Sequence, residues 1–380
     1  MATNVLILGA SVRAAAQSAR DAGFSPSGID FYADRDLRRL GPSIRLDQDF
    51  SPADIERMAR SLPTGPFLYT GPLENRPDLI DQLVRDRPLW GQPGDVLKEV
   101  RDPERLARGL ASSGFCYPDI AQTVPVDTGP WLLKPYASGG GLGIEHWDAR
   151  QNDSIADGFY LQRLVVGTPL SAIFLGDGNR TRLVGLTRQI LSNGPNPFLY
   201  LGSVGPWQVS PVVRTEILRL GGFLATNFHL RGIFGVDLIQ DEESFAVIEV
   251  NPRYTSSVEI LEWTTGSSLL VEHARCFKPN PSVGNPRVRP AVSFAAKRTI
   301  LASRDWVMPA TDLPLIPDSG PLPGCWLSDL PEPGEPFEAG QPVLTVNVTG
   351  RTAIEVLDAL DDQLAGWTRS LGLGPDEAFC

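Results

Sequence analysis

Two acids and an amide stand close together on a predicted β-hairpin. In "IFGVDLIQDEESFAVIEVNPR", two apolar segments flank the polar turn "DEES", and Glu249 and Asn251 alternate on the second segment. Alternate strand residues share a face, and pairing of Gln240 with Ala246 would set Asp237 opposite Glu249. Facing carboxylates repel unless a cation lies between them, and oxygen ligands of this kind suit Mg²⁺ with phosphate oxygens. The hairpin therefore predicts a metal site of Asp237, Glu249 and Asn251, with a solvated acidic face as the alternative.

A glycine-rich turn that follows a lysine is the second place where residue types indicate chemistry. In "LLKPYASGGGLGI", Lys134 lies on an apolar strand, where a lysine is rarely buried without an anionic partner. Glycines at this density let backbone N–H groups curl around a phosphate, although no G-K-[ST] follows and the loop is not a Walker A motif. The segment predicts a phosphate-binding lid, with a flexible hairpin tip as the alternative. Its candidate residues are Lys134, Ser138, Gly139, Gly140, Gly141 and Gly143.

The elements that position these residues begin as alternating strands and helices. "NVLILGA", "SVRAAAQSARDAG" and "SGIDFYA" form a strand–helix–strand unit, which predicts a parallel N-terminal sheet. The first turn lacks the glycines of a dinucleotide-binding motif, so a dinucleotide is not favoured, but Arg13 and the helix N-terminus could hold a carboxylate or phosphate. A Pro/Gly boundary closes this domain near residue 94. A proline-rich segment at 278–290 precedes a β-rich tail and a final helix.

Composition disfavours several classes of function. The 380 residues are 42% hydrophobic and carry a net charge of −11 without a basic run, which disfavours nucleic acid and anionic membranes as partners. No apolar run is long enough to span a bilayer. The four cysteines, Cys116, Cys276, Cys325 and Cys380, form no CxxC pair, which disfavours zinc and a disulfide framework. We expect a reduced, cytoplasmic location, because the first residues are predicted to form a strand rather than a signal peptide.

The glycine loop with its lysine, followed by the acidic hairpin, resembles the ATP-grasp superfamily. The motifs "KPYASGGGLGI", "GVDLI" and "IEVNPR" carry the resemblance, which spans roughly residues 1–280. The tail "GEPFEAGQPVLTVNVTGRTAIEVLDAL" is similar to the small C-terminal piece of the carboxylase-like branch. The resemblance implies an α/β and α+β architecture. Its parts would be a pre-ATP-grasp domain (1–94), an ATP-grasp domain (95–285, with a nucleotide lobe at 95–165 and a metal and substrate lobe at 166–285) and a β-rich C-terminal domain (286–380).

The same resemblance implies roles for individual residues. Lys134 would contact the α- and β-phosphates of ATP, residues 138–143 would form the lid, and Arg253 would stabilise the transferred phosphoryl group. The hinge that edges the adenine would be Gln162, Arg163 and Leu164. The ligands of Mg²⁺ or Mn²⁺ would be Asp237, Glu249 and Asn251. Apart from the resemblance, the positions of Arg13 in the first turn and of Ser256, Ser257 and Glu259 directly after the metal strand make them candidate substrate contacts, with an ordinary helix cap as the alternative for the last three.

The chain departs from the family pattern at two positions. In "VRDPERL", Pro103 stands where the family usually has a lysine, and Lys98 or Arg101 would have to replace it. In "GTPLSA", Thr168 and Pro169 stand where a ribose-binding glutamate is common. These departures leave ATP as the expected ligand and put the individual contacts in question.

The activity that the resemblance implies is ATP-dependent ligation of a small-molecule carboxylate to an amine through an acyl-phosphate. Some relatives of this group are tied to one-carbon coenzyme synthesis, which makes coenzyme biosynthesis the expected setting, and a homodimer is a further expectation. One alternative is carboxyphosphate chemistry from bicarbonate, and another is a non-catalytic nucleotide-binding protein. If the acids repel each other, Glu249→Gln should abolish activity and leave the ligand-free chain as stable as before or more stable.

Overall fold

The computed structural model describes residues 2–47, 49–126, 129–148, 154–311, 313, 316 and 320–373. Cys116, Cys276 and Cys325 are free thiols, and Cys380 lies outside the described residues. None of the helices in these ranges combines the length and the apolar composition that a membrane crossing requires.

The N-terminal part folds around a four-stranded parallel sheet, as the strand–helix–strand pattern predicts. The strand order is β3-β2-β1-β4. Val5 and Ile7 pack toward the first two helices, whereas Leu6 and Leu8 pack toward the next two, so β1 is buried on both faces. The elements are β1 Asn4–Leu8, α1 Arg13–Asp21, β2 Ser25–Asp30, α2 Arg35–Leu40, β3 Ser43–Arg45, α3 Pro52–Ser61, β4 Phe67–Tyr69, α4 Pro77–Leu83 and α5 Gly94–Val100.

A small antiparallel sheet follows and carries the lysine and the hinge. Its order is β5-β8-β6-β7, with β6 and β7 joined by the glycine loop. The helix before it starts at Pro103 because the Asp102 side chain accepts hydrogen bonds from the Glu104 and Arg105 amides. The elements are α6 Pro103–Ser112, β5 Ile120–Ala121, β6 Trp131–Pro135, β7 Glu145–Trp147 and β8 Phe159–Arg163.

The remaining strands form one large sheet that runs through the predicted C-terminal domain without a break. The order is β13-β12-β9-β10-β11-β14-β18-β16, all antiparallel, so strands after residue 286 extend the sheet that carries the acidic hairpin. The domain bounds therefore remain a prediction, and the large sheet continues across the predicted bound between residues 285 and 286. The elements are β9 Thr168–Asp177, β10 Thr181–Leu191, β11 Tyr200–Gly205, α7 Pro211–Asn227, β12 Arg231–Asp241, β13 Ser244–Asn251, α8 Ser256–Thr265, α9 Leu270–Arg275, β14 Phe294–Leu301, β15 Trp306–Val307, β16 Cys325–Ser328, β17 Pro336–Phe337, β18 Pro342–Gly350 and α10 Ala353–Ser370.

Helix α8 ties the large sheet to the N-terminal domain through a buried acid. Glu262 accepts hydrogen bonds from Ser18 Oγ on α1, from Tyr254 Oη at 3.1 Å and from the Leu269 amide at 2.7 Å. Burial raises the pKa of the Glu262 carboxyl to about 8, although the three donors act against that rise. The folded chain therefore holds a proton on Glu262 at neutral pH that the unfolded chain releases.

This proton makes the stability of the chain depend on pH. The contribution of Glu262 to the free energy of unfolding is fully present below the ordinary pKa of 4.5 and is lost as pH rises through about 8. We expect the free energy of unfolding to fall by on the order of 3 kcal/mol between pH 5 and pH 8 for this reason. Glu262→Gln, which stays neutral and can donate its amide to Tyr254 Oη, should flatten this part of the profile. Urea unfolding at several pH values measures the effect, and an identical slope in both proteins would contradict a protonated Glu262.

Candidate active site

A cleft of about 480 Å³ opens between the small sheet and the large sheet. The lysine strand β6 and the hinge form one side, and the acidic hairpin β12–β13 forms the other. The structure thus brings together residues that lie far apart in the sequence. Predicted residues that line the cleft are Lys134, Gly140, Gly141, Gln162, Arg163, Leu164, Asp237, Glu249, Asn251, Arg253, Ser256 and Ser257.

The acidic pair faces across the hairpin as predicted, but through a different register. The expected pairing of Gln240 with Ala246 is wrong, because Gln240 pairs with Phe245. A β-bulge at Ile248 adds one residue to β13, and Asp237 therefore pairs with Glu249 after all. The bulge turns both Ile248 and Glu249 toward the cleft.

Cations at the edge of the cleft compensate the charge of Glu249. The Arg101 guanidinium forms an ion pair with Glu249, whose side chain remains 30% exposed. Loss of solvation raises the pKa of the Glu249 carboxyl, but Arg101 and Lys134 outweigh it and hold this pKa below its ordinary value. Burial, and then the charge of Glu249, raise the pKa of Asp237 to about 6. The pKa values of the two acids are thus shifted in opposite directions.

Asp237 and Asn251 are oriented by neighbouring side chains. Asp237 accepts hydrogen bonds from Gln189 Nε2 and from Asn251 Nδ2, both at 2.9 Å. The Asn251 amide oxygen in turn accepts a hydrogen bond from Arg253 Nη2 at 3.1 Å. Arg253 also donates to Glu74 on the N-terminal domain at 2.7 Å, so the phosphoryl-binding candidate is held by both domains.

The glycine loop lies closed over the cleft and needs its glycines. Gly140, Gly141 and Gly143 have φ values of 65°, 79° and 73°, a region that other residues rarely adopt. A Cβ at Gly141 would lie 1.8 Å from the Phe198 carbonyl oxygen. Two hydrogen bonds hold the loop. The Tyr200 amide of the large sheet donates to the Gly140 carbonyl at 2.9 Å, and Asn75 Nδ2 of the N-terminal domain donates to the Ser138 carbonyl at 3.0 Å.

Lys134 and Gln162 meet at the base of the cleft. Lys134 Nζ donates a hydrogen bond to Gln162 Oε1 at 2.9 Å, and both side chains are buried. Burial lowers the pKa of Lys134, although the charge of Glu249 acts against this. A buried ammonium with an amide as its hydrogen-bond partner is suited to an anionic ligand. Beside it, Leu132, Leu164 and Leu238 give the cleft apolar walls.

The remaining candidates are distributed differently from the expectation. Lys98 is not brought to the cleft, because it forms an ion pair with Asp78 on the surface at 2.8 Å. Arg101 reaches the site instead, where its guanidinium contacts Glu249. Arg13 and Glu259 are not free to hold a ligand on their own, since they form a buried ion pair in which Lys297 also donates to Glu259.

Several residues of the site were not predicted. Glu74 and Asn75 come from a turn of the N-terminal domain and contact Arg253 and the lid. Gln189 was missed because its approach to Asp237 depends on the strand order β12-β9-β10. Lys297 could have been found, since it is one of only four lysines in the chain.

The donor set facing the cleft fits a divalent cation. Mg²⁺ is usually bound through one or two carboxylates together with phosphate oxygens, and Asp237 and Glu249 offer two carboxylates beside the Asn251 amide oxygen. Burial and the neighbouring charge of Glu249 disfavour the charged form of Asp237 and raise its pKa, and a cation between the two carboxylates would act against both effects. No group of three or more His, Cys, Asp or Glu residues forms a metal site in the described ranges, so the fit depends on ligand phosphates.

Part of the chain is similar to a known domain family, and most of it is similar to one curated protein. Residues 102–257 match the family model of the ATP-grasp domain. The chain is 22% identical over 377 residues to an uncharacterized protein of Methanocaldococcus jannaschii, MJ0776, covering 90% of this chain and 87% of the relative.

Two solved structures have a similar fold. One is the biotin carboxylase domain dimer of Hydrogenobacter thermophilus 2-oxoglutarate carboxylase, in complex with MgADP, ADP and bicarbonate, with a TM-score of 0.71, 14% identity and coverage of 94% of this chain and 88% of that chain. The other is N5-carboxyaminoimidazole ribonucleotide synthetase in its ADP complex, with a TM-score of 0.69, 15% identity and coverage of 97% of both chains. At these identities the likeness shows the fold.

The domain and the fold define the class to which the chain is similar: residues 102–257 match the ATP-grasp domain, and the chain as a whole has a fold like that of the two solved structures. This confirms the resemblance drawn from the glycine loop and the acidic hairpin.

Lys134→Ala should weaken ATP·Mg binding. The change removes a charge-assisted contact worth about 1.5–3 kcal/mol, or roughly 10–100-fold in Kd. Titration calorimetry measures the affinity, and Lys98→Ala is the matched control because Lys98 lies on the surface. Equal affinities for both variants and the unmodified chain would show that Lys134 has a structural role only.

Glu249→Gln should abolish Mg²⁺-dependent ADP formation and lower the melting temperature of the ligand-free chain. The sequence-based expectation of unchanged or greater stability is revised, because Glu249 is the ion-pair partner of Arg101. Leaving that arginine unpaired should cost about 1–3 kcal/mol. Glu242→Gln, on the exposed turn of the same hairpin, is the control. A variant with full activity would contradict the metal assignment.

Proposed function

We propose that the chain is an ATP-dependent carboxylate–amine ligase that forms an amide through an acyl-phosphate. The observation that carries this proposal is a second, larger cavity of about 1010 Å³ that adjoins the cleft. Both cavities are lined by Arg253, Thr255 and Ser256. A substrate in the second cavity would therefore meet the terminal phosphate of ATP beside Arg253.

In this proposal the cleft binds the nucleotide. Lys134 contacts the α- and β-phosphates, and the lid residues Ser138, Gly139, Gly140, Gly141 and Gly143 cover the β- and γ-phosphates with backbone N–H groups. The hinge at Gln162, Arg163 and Leu164 edges the adenine. The position of these residues around one cleft, or in the loop that closes it, supports the assignment.

Asp237, Glu249 and Asn251 would hold Mg²⁺ or Mn²⁺. The cation would neutralise charge on the phosphates and orient the terminal phosphate for transfer. The ion pair with Glu249 holds Arg101 beside the proposed metal site. This position supports Arg101 as the replacement for the missing family lysine.

The reaction would proceed in two steps. A substrate carboxylate oxygen attacks the γ-phosphorus of ATP, the bond to the bridging oxygen breaks, and ADP leaves with that electron pair. Arg253, oriented by Glu74 and Asn251, stabilises the charge on the transferred phosphoryl group. An amine then attacks the acyl carbon, phosphate leaves, and the amine loses a proton to give the amide.

Carboxyphosphate formation from bicarbonate is the second candidate. It is favoured by the fold shared with the Hydrogenobacter thermophilus domain, whose complex contains bicarbonate. We place it second because the sequence motifs resemble the carboligase group. The resemblance at the sequence level, and not the geometry, carries the further proposals of a setting in coenzyme biosynthesis and of a homodimer.

A hydroxylamine trap separates the two candidates. With MgATP and a panel of organic acids, a carboxylate-activating enzyme should release ADP and form a hydroxamate in equal amounts. Arg253→Ala should reduce both products by about 100-fold or more, because a donor to the transferred group is lost. ADP release that requires bicarbonate and yields no hydroxamate with any acid would favour carboxyphosphate chemistry and overturn the ligase.

A further inference from the structure

The larger cavity has two unlike walls. One wall belongs to the N-terminal domain and is lined by apolar side chains: Phe31, Leu46, Phe50, Ile55 and Leu73. The other wall belongs to the large sheet and is lined by polar side chains, among them Tyr200, Lys297, Thr299 and Thr345. The N-terminal domain therefore supplies an apolar patch to the cavity, next to polar residues of the same domain such as Asn75 and Arg76.

The apolar wall has the features of a site for a ring. Phe31 and Phe50 form an aromatic pair with centroids 6.0 Å apart and planes tilted by 50°. The Arg76 guanidinium lies 5.5 Å from the centroid of the Phe50 ring. Phe31 and Phe50 remain partly exposed to the cavity. An aromatic ring placed here would gain offset or edge contacts with two phenyl groups.

The charged groups of the polar wall are paired, in part with Arg13 of the N-terminal domain. Lys297 donates to Glu259 at 2.8 Å, and Arg13 pairs with Glu259 and with Asp329 at 2.9 Å. Thr299 and Thr345 form a hydrogen bond at 3.2 Å. This wall therefore offers hydrogen bonds to the polar parts of a ligand rather than an uncompensated charge for a second ionic group.

An unpaired hydroxyl marks the place where the two cavities join. Thr255 is 8% exposed, and its Oγ1 atom is buried without a hydrogen-bond partner in the described structure. A buried hydroxyl without a partner is costly unless a ligand satisfies it. Thr255 lines both cavities beside Arg253 and Ser256. A substrate carboxylate at this junction would lie next to Thr255, Arg253 and Ser256.

The volume also selects among substrates. A liquid water molecule occupies about 30 Å³, and bicarbonate is only a few times larger. Drug-sized ligands occupy pockets of roughly 300–1,000 Å³, and this cavity measures about 1010 Å³. It would leave bicarbonate, acetate or a small amino acid largely without contacts.

We infer that the acid substrate is a large amphipathic carboxylic acid with an aromatic ring system. The ring lies against Phe31 and Phe50, and the carboxylate reaches Thr255 and Arg253 at the nucleotide cleft. The position of the reacting carboxylate rests on the proposed function. The site for the ring rests on the cavity wall alone.

Biphenyl-4-carboxylate is the probe that tests this inference. Titration calorimetry on the full chain should detect its binding, with acetate and bicarbonate at the same concentrations giving none. Phe50→Ala should weaken binding about tenfold, because an aromatic contact is lost. Phe31→Ala should have a similar effect, which provides a second reading if Phe50→Ala does not fold.

Phe223→Ala is the matched control. Phe223 is also partly buried and packs against other phenylalanine rings, but it lies outside both cavities. Undetected binding of the biphenyl acid, equal binding of acetate, or an equal loss in Phe223→Ala would each overturn the inference. If the biphenyl acid binds as expected but no acid in the panel yields hydroxamate, the ligase proposal fails and the ring site remains. If small acids alone yield hydroxamate, the ligase stands and the inference of a large aromatic acid substrate fails.

Discussion

The repulsion between Asp237 and Glu249 is the constraint on which the rest of the site depends. The bulge at Ile248 sets the two carboxylates opposite each other on a partly exposed face. The two carboxyl groups have different neighbours, which limits the repulsion. Arg101 and Lys134 keep the pKa of Glu249 low, whereas Asp237 has a pKa of about 6 and accepts hydrogen bonds from neutral amides. A divalent cation with its phosphates would complete the compensation that the side chains begin.

The N-terminal domain takes part in this compensation. Glu74 orients Arg253, and Asn75 holds the lid at Ser138, so a turn of the first domain contacts both groups that would touch the transferred phosphate. Gly71, in the same region, leaves room for the Arg253 guanidinium, since a Cβ there would lie 2.8 Å from it. The apolar wall of the larger cavity belongs to this domain as well. One domain thus supplies both the supports for phosphoryl transfer and the proposed ring site.

The C-terminal strands line the larger cavity on the side opposite the apolar patch of the N-terminal domain. Because β14 pairs with β11 and β18 pairs with β14, Lys297 and Thr345 come to line the larger cavity. Lys297 also shares Glu259 with Arg13, which links the C-terminal strands to the first helix. The surroundings of the polar wall of the larger cavity are therefore built from three distant parts of the sequence. Arg13, Glu259 and Lys297 come one from each part, and their charges compensate one another.

The sequence by itself determined the local features of the protein. The alternation of polar and apolar residues predicted the hairpin, and glycine spacing predicted the lid, because strand alternation and the backbone freedom of glycine are local properties. The facing of Asp237 and Glu249 was predicted correctly from a wrong register, since a bulge cannot be read from residue alternation. Tertiary structure alone decided that Lys98 stays on the surface, that Arg101 reaches Glu249, and that Glu259 holds Arg13 and Lys297. These outcomes depend on the strand order and on packing between domains, which bring together charges that are far apart in the chain.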